Sequence, residues 1–129
     1  MIIEKKEIGE KKTGRILVVD DEPDIASLLK MALEYDGSFR SIQTFDDPLV
    51  ALSNFKAGLY DLIILDISMP NVDGLHLYQE MKKIDNKVKF CFLTGCDTYS
   101  DKLDNSMLIR KPISIKALLR EIARRFDIT

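Results

Sequence analysis

Two acidic clusters stand at the ends of aliphatic runs. Ile16-Leu17-Val18-Val19 leads straight into Asp20-Asp21-Glu22-Pro23, and Leu62-Ile63-Ile64-Leu65 ends on Asp66, before Ile67-Ser68-Met69-Pro70. Unbroken aliphatic runs of this length read as strands buried on both faces, the habit of a parallel sheet. In an open α/β sheet the strand exits share one edge, and ligands bind at that edge. Asp20, Asp21 and Asp66 would meet there, and three converging carboxylates suit a hard divalent cation, Mg²⁺ above all. One of them can also act as a nucleophile towards phosphorus. The plainer reading is that each Asp caps the helix after its strand. It accounts for one cluster more readily than for both. Thr94, after Val88–Leu93, and Lys111, after Met107–Arg110, add a hydroxyl and an ammonium at two further strand exits. These groups suit the oxygens of a transferred phosphoryl group. Singly they carry little weight, whereas the ordered series of four exits is specific.

The elements that would place these groups alternate along the chain. Pro23 opens a helix whose apolar residues Ile25, Leu28, Leu29, Ala32 and Leu33 follow the i, i+3, i+4 pattern, and Gly37 stops it. Residues 39–45 read as a polar-interrupted edge strand. Asp47 caps a helix begun by Pro48 and running to about Lys56. Beyond the Leu62–Asp66 strand, Asp73 can cap a third helix carrying Leu77, Tyr78, Met81 and Ile84. The last helix starts at Ser114, with a stripe of Ile115, Leu118, Leu119, Ile122, Ala123 and Phe126. This alternation predicts a parallel sheet with helices on both faces.

The chain has 129 residues, enough for one domain with a real core. We read residues 1–14, rich in Lys and Glu, as a solvated tail and 15–129 as the domain. A net charge of −2 argues against a strongly basic nucleic-acid surface. No apolar stretch reaches the ~18 residues of a membrane span, and no signal-peptide layout opens the chain, so a cytoplasmic protein is expected. Cys91 reads as a reduced core residue, and Cys96 lies just past a strand end. His76, the one histidine, reads as a solvated helix position, since a phosphotransfer histidine needs a helical bundle.

The ordered series resembles the receiver domain of two-component response regulators, of the stand-alone, chemotaxis-related kind. The resemblance spans about residues 14–127. It rests on Ile16–Glu22, on Asp66 with Met69-Pro70-Asn71-Val72-Asp73-Gly74, on Thr94, and on Lys111-Pro112. It implies a flavodoxin-like, doubly wound five-stranded parallel sheet in the order 2-1-3-4-5. It also implies Asp66 as the phosphoacceptor, with Mg²⁺ held by Asp21, Asp66 and the Ser68 carbonyl, and by Asp20 through water. Thr94 and Lys111 would hold the phosphoryl oxygens, and the bond to Pro112 would be cis. The donor would be a histidine kinase or phosphotransfer protein, and the output a contact with a downstream protein. Such a module is not a turnover enzyme, beyond weak self-phosphorylation and self-dephosphorylation. No output domain is expected after the last helix, and neither direct nucleic-acid contact nor membrane insertion.

Two departures from the family pattern bear on switching. Leu108 stands where the family has an aromatic residue that swings towards the Thr. Only residues 95–106 separate Thr94 from Met107, close to the minimum for a crossover. Their apolar content cannot supply an amphipathic stripe. The helix between the fourth and fifth strands is therefore expected to be short or missing. Apolar sheet surface near Phe90–Leu93 and Met107–Ile109 would then need a cover, from a second copy or a partner. These departures favour an alternative reading, a pseudo-receiver that binds proteins without switching. A small Mg²⁺-dependent phosphohydrolase fits less well, because Asp20-Asp21-Glu22 lacks the Asp-x-Asp spacing and the chain has no room for a cap domain.

Overall fold

The structure, a computed structural model, describes residues 14–67, 74–95, 108–111 and 114–126. Five strands form one sheet: β1 (Arg15–Val19), β2 (Ser41–Phe45), β3 (Leu62–Asp66), β4 (Lys89–Thr94) and β5 (Leu108–Arg110). Among the described residues there are four helices: α1 (Pro23–Asp36), α2 (Pro48–Asn54), α3 (Gly74–Ile84) and α4 (Ile115–Arg125). Every pairing is parallel, as the alternation of elements predicts, and the sheet order is β2-β1-β3-β4-β5, as the resemblance implies.

Side chains of successive strand residues point to opposite faces, and each face of the sheet builds its own core. Leu17, Val19, Ile63, Leu65, Phe90 and Phe92 pack with Ala51 of α2 and with Leu77 and Met81 of α3. Ile16, Val18, Leu62, Ile64, Cys91 and Leu93 pack with Leu29 and Leu33 of α1 and with Leu118 and Ile122 of α4. The central strands β1 and β3 are thus sealed on both sides, which explains their unbroken aliphatic runs.

Local signals set most boundaries. Gly37 ends α1 in the left-handed conformation at φ 76°, a geometry that costs glycine nothing. The Asp47 carboxylate accepts from Leu49 N–H and Val50 N–H at the start of α2, and the Ser114 hydroxyl accepts from Ala117 N–H at the start of α4. α2 stops two residues earlier than its spacing suggests. Phe55 turns to an extended conformation, where it is buried and stacked on Tyr60 with ring centroids 6.1 Å apart. β2 begins at Ser41 rather than at residue 39, because Phe39 packs against the α1/α4 core instead.

The apolar patch expected near β4 and β5 is not present among the described residues. Phe90, Cys91, Phe92, Leu93, Leu108 and Ile109 are all buried, none more than 8% exposed. On one face Tyr78 of α3 meets Phe90 and Phe92 edge-on, at 4.8 and 5.0 Å between ring centroids. On the other face Leu118 and Ile122 of α4 cover Cys91, Leu93 and Ile109. The chain shields these residues itself. Met107 and the expected short or missing helix at 95–106 lie outside the described residues, apart from Gly95, which is exposed.

At the opposite edge from the strand exits, an ionic clasp joins β1 to the loops before β3 and β4. Arg15 donates to Asp61 through its backbone N–H, Nε and Nη2 at 2.9–3.0 Å, and its Nη1 donates to the Gly58 carbonyl at 2.7 Å. Gly58 N–H in turn donates to the Asp85 carboxylate at 3.0 Å. Gly14 is buried at this edge, its carbonyl accepting from Arg40 N–H at 2.7 Å. Residues 1–13 of the expected tail lie outside the described residues.

Candidate functional site

The exits of β1 and β3 stand side by side because the two strands pair directly, Val19 opposite Leu65. That pairing brings Asp20, Asp21 and Asp66 together, one oxygen of each within 4.8 Å of the others. The next strands bring the other two groups. Leu93 lies opposite Asp66, and Thr94 lies opposite Arg110, next to Lys111. The Lys111 N–H donates to the Thr94 carbonyl at 2.7 Å, which fixes the exit of β5 against that of β4. From there the Lys111 ammonium donates to Asp66 Oδ2 at 3.0 Å. Residues 45 positions apart thus form a charge-assisted bond, of the stronger class of hydrogen bonds.

Burial sets the electrostatics. Asp20, Asp66 and Thr94 are buried and Asp21 is half-buried. Asp20 N–H donates to the Phe45 carbonyl of β2 at 3.1 Å, and Asp20 Oδ1 accepts from Glu22 N–H at 3.0 Å. Asp20 Oδ2 is buried and has no hydrogen-bond partner among the described residues. Loss of solvent pushes the Asp20 carboxyl up to about 6, opposed by the Glu22 N–H and reinforced by the neighbouring Asp66. A buried carboxylate oxygen without a donor is a costly arrangement for a protein that only has to fold. It is relieved by a cation. Three hard oxygen donors with one orphaned lone pair fit Mg²⁺, which binds through a few carboxylates and keeps several waters.

Two features of the site lie within the motifs that carry the resemblance, but the sequence alone does not assign their roles. One is the Glu22 N–H, which orients Asp20 from the turn into α1. The other is Gly74, the first residue of α3. A Cβ there would lie 2.6 Å from Cα of Ile67, the residue after Asp66, so only glycine lets α3 approach the β3 exit this closely. Leu108 is buried opposite Phe92 on β4 and belongs to the α2/α3 core. Ser68 and Pro112 lie outside the described residues, as does Cys96. Cys91 is a buried free thiol pushed up to about 12 by desolvation, hence unreactive. His76 is exposed on α3. No helix among the described residues is long and apolar enough to cross a membrane.

Residues 16–123 match the response regulator receiver domain family. Among curated proteins, the transcriptional regulatory protein TrcR of Mycobacterium tuberculosis is 34% identical over 119 residues, covering 86% of this chain and 46% of TrcR. The response regulator receiver protein CpdR of Brucella abortus is 30% identical over 115 residues, covering 85% of this chain and 94% of CpdR. The chain spans about half the length of the transcriptional regulators it matches. Among solved structures, the response regulator TrrA of Thermotoga maritima in complex with Mg²⁺-BeF is 35% identical, with a TM-score of 0.73 over 88% of this chain and 99% of that one. The complex of TrrA with the histidine kinase ThkA matches with a TM-score of 0.71, at the same identity and coverage.

Proposed function

Because the chain belongs to the response regulator receiver domain family, we propose that it accepts a phosphoryl group on Asp66 from a histidine kinase or phosphotransfer protein. It would then pass that state on by protein contact, in the cytoplasm. The observation that carries this reading is the convergence of Asp20, Asp21 and Asp66 with the Lys111 ammonium on Asp66. In the transfer an oxygen of Asp66 forms a bond to phosphorus as the bond from phosphorus to the donor imidazole nitrogen breaks. The electron pair stays on that nitrogen, and because the other ring nitrogen carries a proton the donor leaves as a neutral imidazole.

Asp20, Asp21 and Asp66 would hold Mg²⁺, with the Ser68 carbonyl as the further ligand that the resemblance implies. When bound, Mg²⁺ supplies positive charge facing the incoming phosphoryl oxygens. Asp20 keeps its orientation through the Glu22 N–H. Lys111 stands already at Asp66 and exchanges a carboxylate partner for phosphoryl oxygens, while the Thr94 hydroxyl serves the same oxygens from β4. The TrrA complex with Mg²⁺-BeF, in a protein 35% identical to this one, supports both the ion and the acidic site. The ThkA–TrrA complex supports a kinase as the donor. The chain is in this reading a phosphoacceptor rather than a turnover enzyme. Nucleic-acid contact is no part of the proposal for this chain, and relatives named as transcriptional regulators extend well beyond it.

The test is incubation with acetyl phosphate and Mg²⁺ followed by intact mass measurement. Wild type gains one phosphate, and Asp66→Asn gains none. A full gain by Asp66→Asn overturns the assignment. Leu108 favours a second reading, a pseudo-receiver, because this buried aliphatic side chain has no ring or hydroxyl to turn towards Thr94. A wild-type mass unchanged by acetyl phosphate and Mg²⁺ selects that reading.

A further inference from the structure

We propose that the lysine-ringed surface at the ends of α2 and α3 binds an anionic phospholipid surface. Both helices pack on the same face of the sheet, with Ala51 of α2 and Leu77 and Met81 of α3 in one core. Each follows a strand exit and runs back, so both end at the strand-start edge. There Asp85, the residue after α3, accepts from Gly58 N–H at 3.0 Å and from Lys87 N–H at 2.9 Å. These bonds tie the loop after α2 to the loop after α3. Lys56 and Leu59 lie beside Gly58, and Ile84 and Lys87 beside Asp85, so the four share one surface with Lys82 and Lys83 of the last turn of α3. The four lysines are exposed. Leu59 and Ile84 are each 42% exposed, although Ile84 continues the α3 stripe that buries Leu77 and Met81.

Charge selects the occupant. The acids of this edge are turned to internal donors. Asp85 is buried on backbone N–H groups, and Asp61 is held by the Arg15 guanidinium. Glu80 pairs with Lys83 at 3.0 Å, and Lys56, Lys82 and Lys87 carry the outward positive charge. The strand-exit edge has the opposite sign, for Asp20, Asp21, Glu22, Asp46, Asp47 and Asp66 gather there. The chain as a whole carries a net charge of −2, so an anionic surface attracts it through the basic edge and repels it elsewhere. β3 crosses the sheet from Leu62 to Asp66, ~13 Å along the strand. A molecule bound by its basic edge therefore turns Asp66 towards solvent.

The residue types favour lipid over nucleic acid or an acidic polypeptide. Planar forks for phosphate or carboxylate are the work of arginine, and Arg15 at this edge is committed to Asp61 and the Gly58 carbonyl. Base stacking needs an open aromatic face, whereas Tyr60 is half-buried and stacked on Phe55. Lysine stems lie along apolar surface while their ammonium groups reach headgroup phosphates. Leu59 and Ile84 between them supply the apolar contact of a protein that lies on a membrane without crossing it. The proposal is independent of phosphorylation at Asp66.

The test is co-sedimentation of the whole chain with unilamellar vesicles at low salt. Wild type binds vesicles holding about 30% phosphatidylglycerol in phosphatidylcholine, ignores pure phosphatidylcholine, and is released by about 500 mM NaCl. Each lysine near such a surface contributes about 5-fold to binding, so Lys82→Gln with Lys87→Gln weakens it about 25-fold. Ile84→Ser weakens it about 3-fold or more. Lys116→Gln with Arg120→Gln makes the same change in net charge on exposed positions of α4 and leaves binding intact. Circular dichroism with the thermal midpoint verifies that each variant is folded. A chain that ignores anionic vesicles overturns the proposal, as does equal binding to neutral ones. So does a loss in the α4 variant as large as in the Lys82 and Lys87 variant, since net charge would then be the cause. Retention of an oligonucleotide or of polyglutamate by a chain that never binds vesicles assigns the surface to that ligand and overturns the lipid.

Discussion

Asp20→Asn should stabilise the metal-free protein even though Asp20 is proposed to serve the metal. The buried carboxyl rises from its ordinary 3.8 to about 6, a difference worth about 3 kcal/mol against the folded state above pH 6. The sign follows from the proton count. Between 3.8 and 6 the folded protein keeps a proton that the unfolded chain has lost, so wild-type stability falls as pH rises through that window. Asn removes this term. It keeps an oxygen for the Glu22 N–H, which Asp20 Oδ1 now accepts. It also places an amide donor where Oδ2 stood, beside the carboxylates of Asp21 and Asp66. An imperfect geometry for that donor costs about 1 kcal/mol, leaving a net gain of about 2 kcal/mol. For a domain of this size that corresponds to about 6–10 °C in thermal midpoint. Scanning calorimetry or urea unfolding at pH 7.5 in EDTA measures it. At pH 4.5 the gain should shrink to near zero, because the wild-type folded protein is by then protonated at Asp20. Millimolar Mg²⁺ should reverse the order, since the ion stabilises whichever protein binds it by RT ln(1 + [L]/Kd), about 2.7 kcal/mol at 100 Kd. An Asn variant less stable than wild type in EDTA at pH 7.5, or a gap that ignores pH, would refute the account of the orphaned oxygen.

Other expectations follow from the same geometry. Asp21→Asn should weaken Mg²⁺ binding more than 10-fold, read by titration calorimetry, while the fold is kept because Asp21 is half-buried; unchanged affinity would remove Asp21 from the ligand set. Gly74→Ala should cost about 1–3 kcal/mol, since its Cβ would press on the Ile67 backbone, and should lower the rate of acetyl phosphate labelling by displacing the β3 exit; a neutral effect on both would show that α3 moves freely. Asp61→Asn should destabilise by about 1–2 kcal/mol by weakening three bonds from Arg15. The Arg15 guanidinium holds the Asp61 carboxyl below the usual carboxylate range. Its stabilisation is therefore present above that range and lost as pH falls through the folded value. A wild-type-to-variant gap measured at pH 7 and at pH 3 should accordingly be larger at pH 7.

The parts of this protein legible in the sequence are those decided within a few residues. The runs Ile16–Val19 and Leu62–Leu65 announce buried strands because a side chain on either face of a central parallel strand meets only apolar neighbours. Asp47 and Ser114 mark helix starts because they bond backbone N–H groups two or three residues on. The acidic exits Asp20, Asp21 and Asp66 point to one sheet edge for the same reason, once strand follows helix in turn. The tertiary structure decided what depends on distance. The bond from Lys111 to Asp66 exists because β5, β4 and β3 lie in that spatial order, which no local signal encodes. Phe55 leaves its helix early because a core position and the Tyr60 ring await it. The burial of Phe90, Phe92, Leu108 and Ile109, against the expectation of an open patch, depends on which residues of α3 and α4 reach over β4 and β5. The orphaned oxygen of Asp20 is likewise a matter of packing, for a carboxylate advertises its charge in the sequence but acquires its energy only from how completely the fold removes it from water.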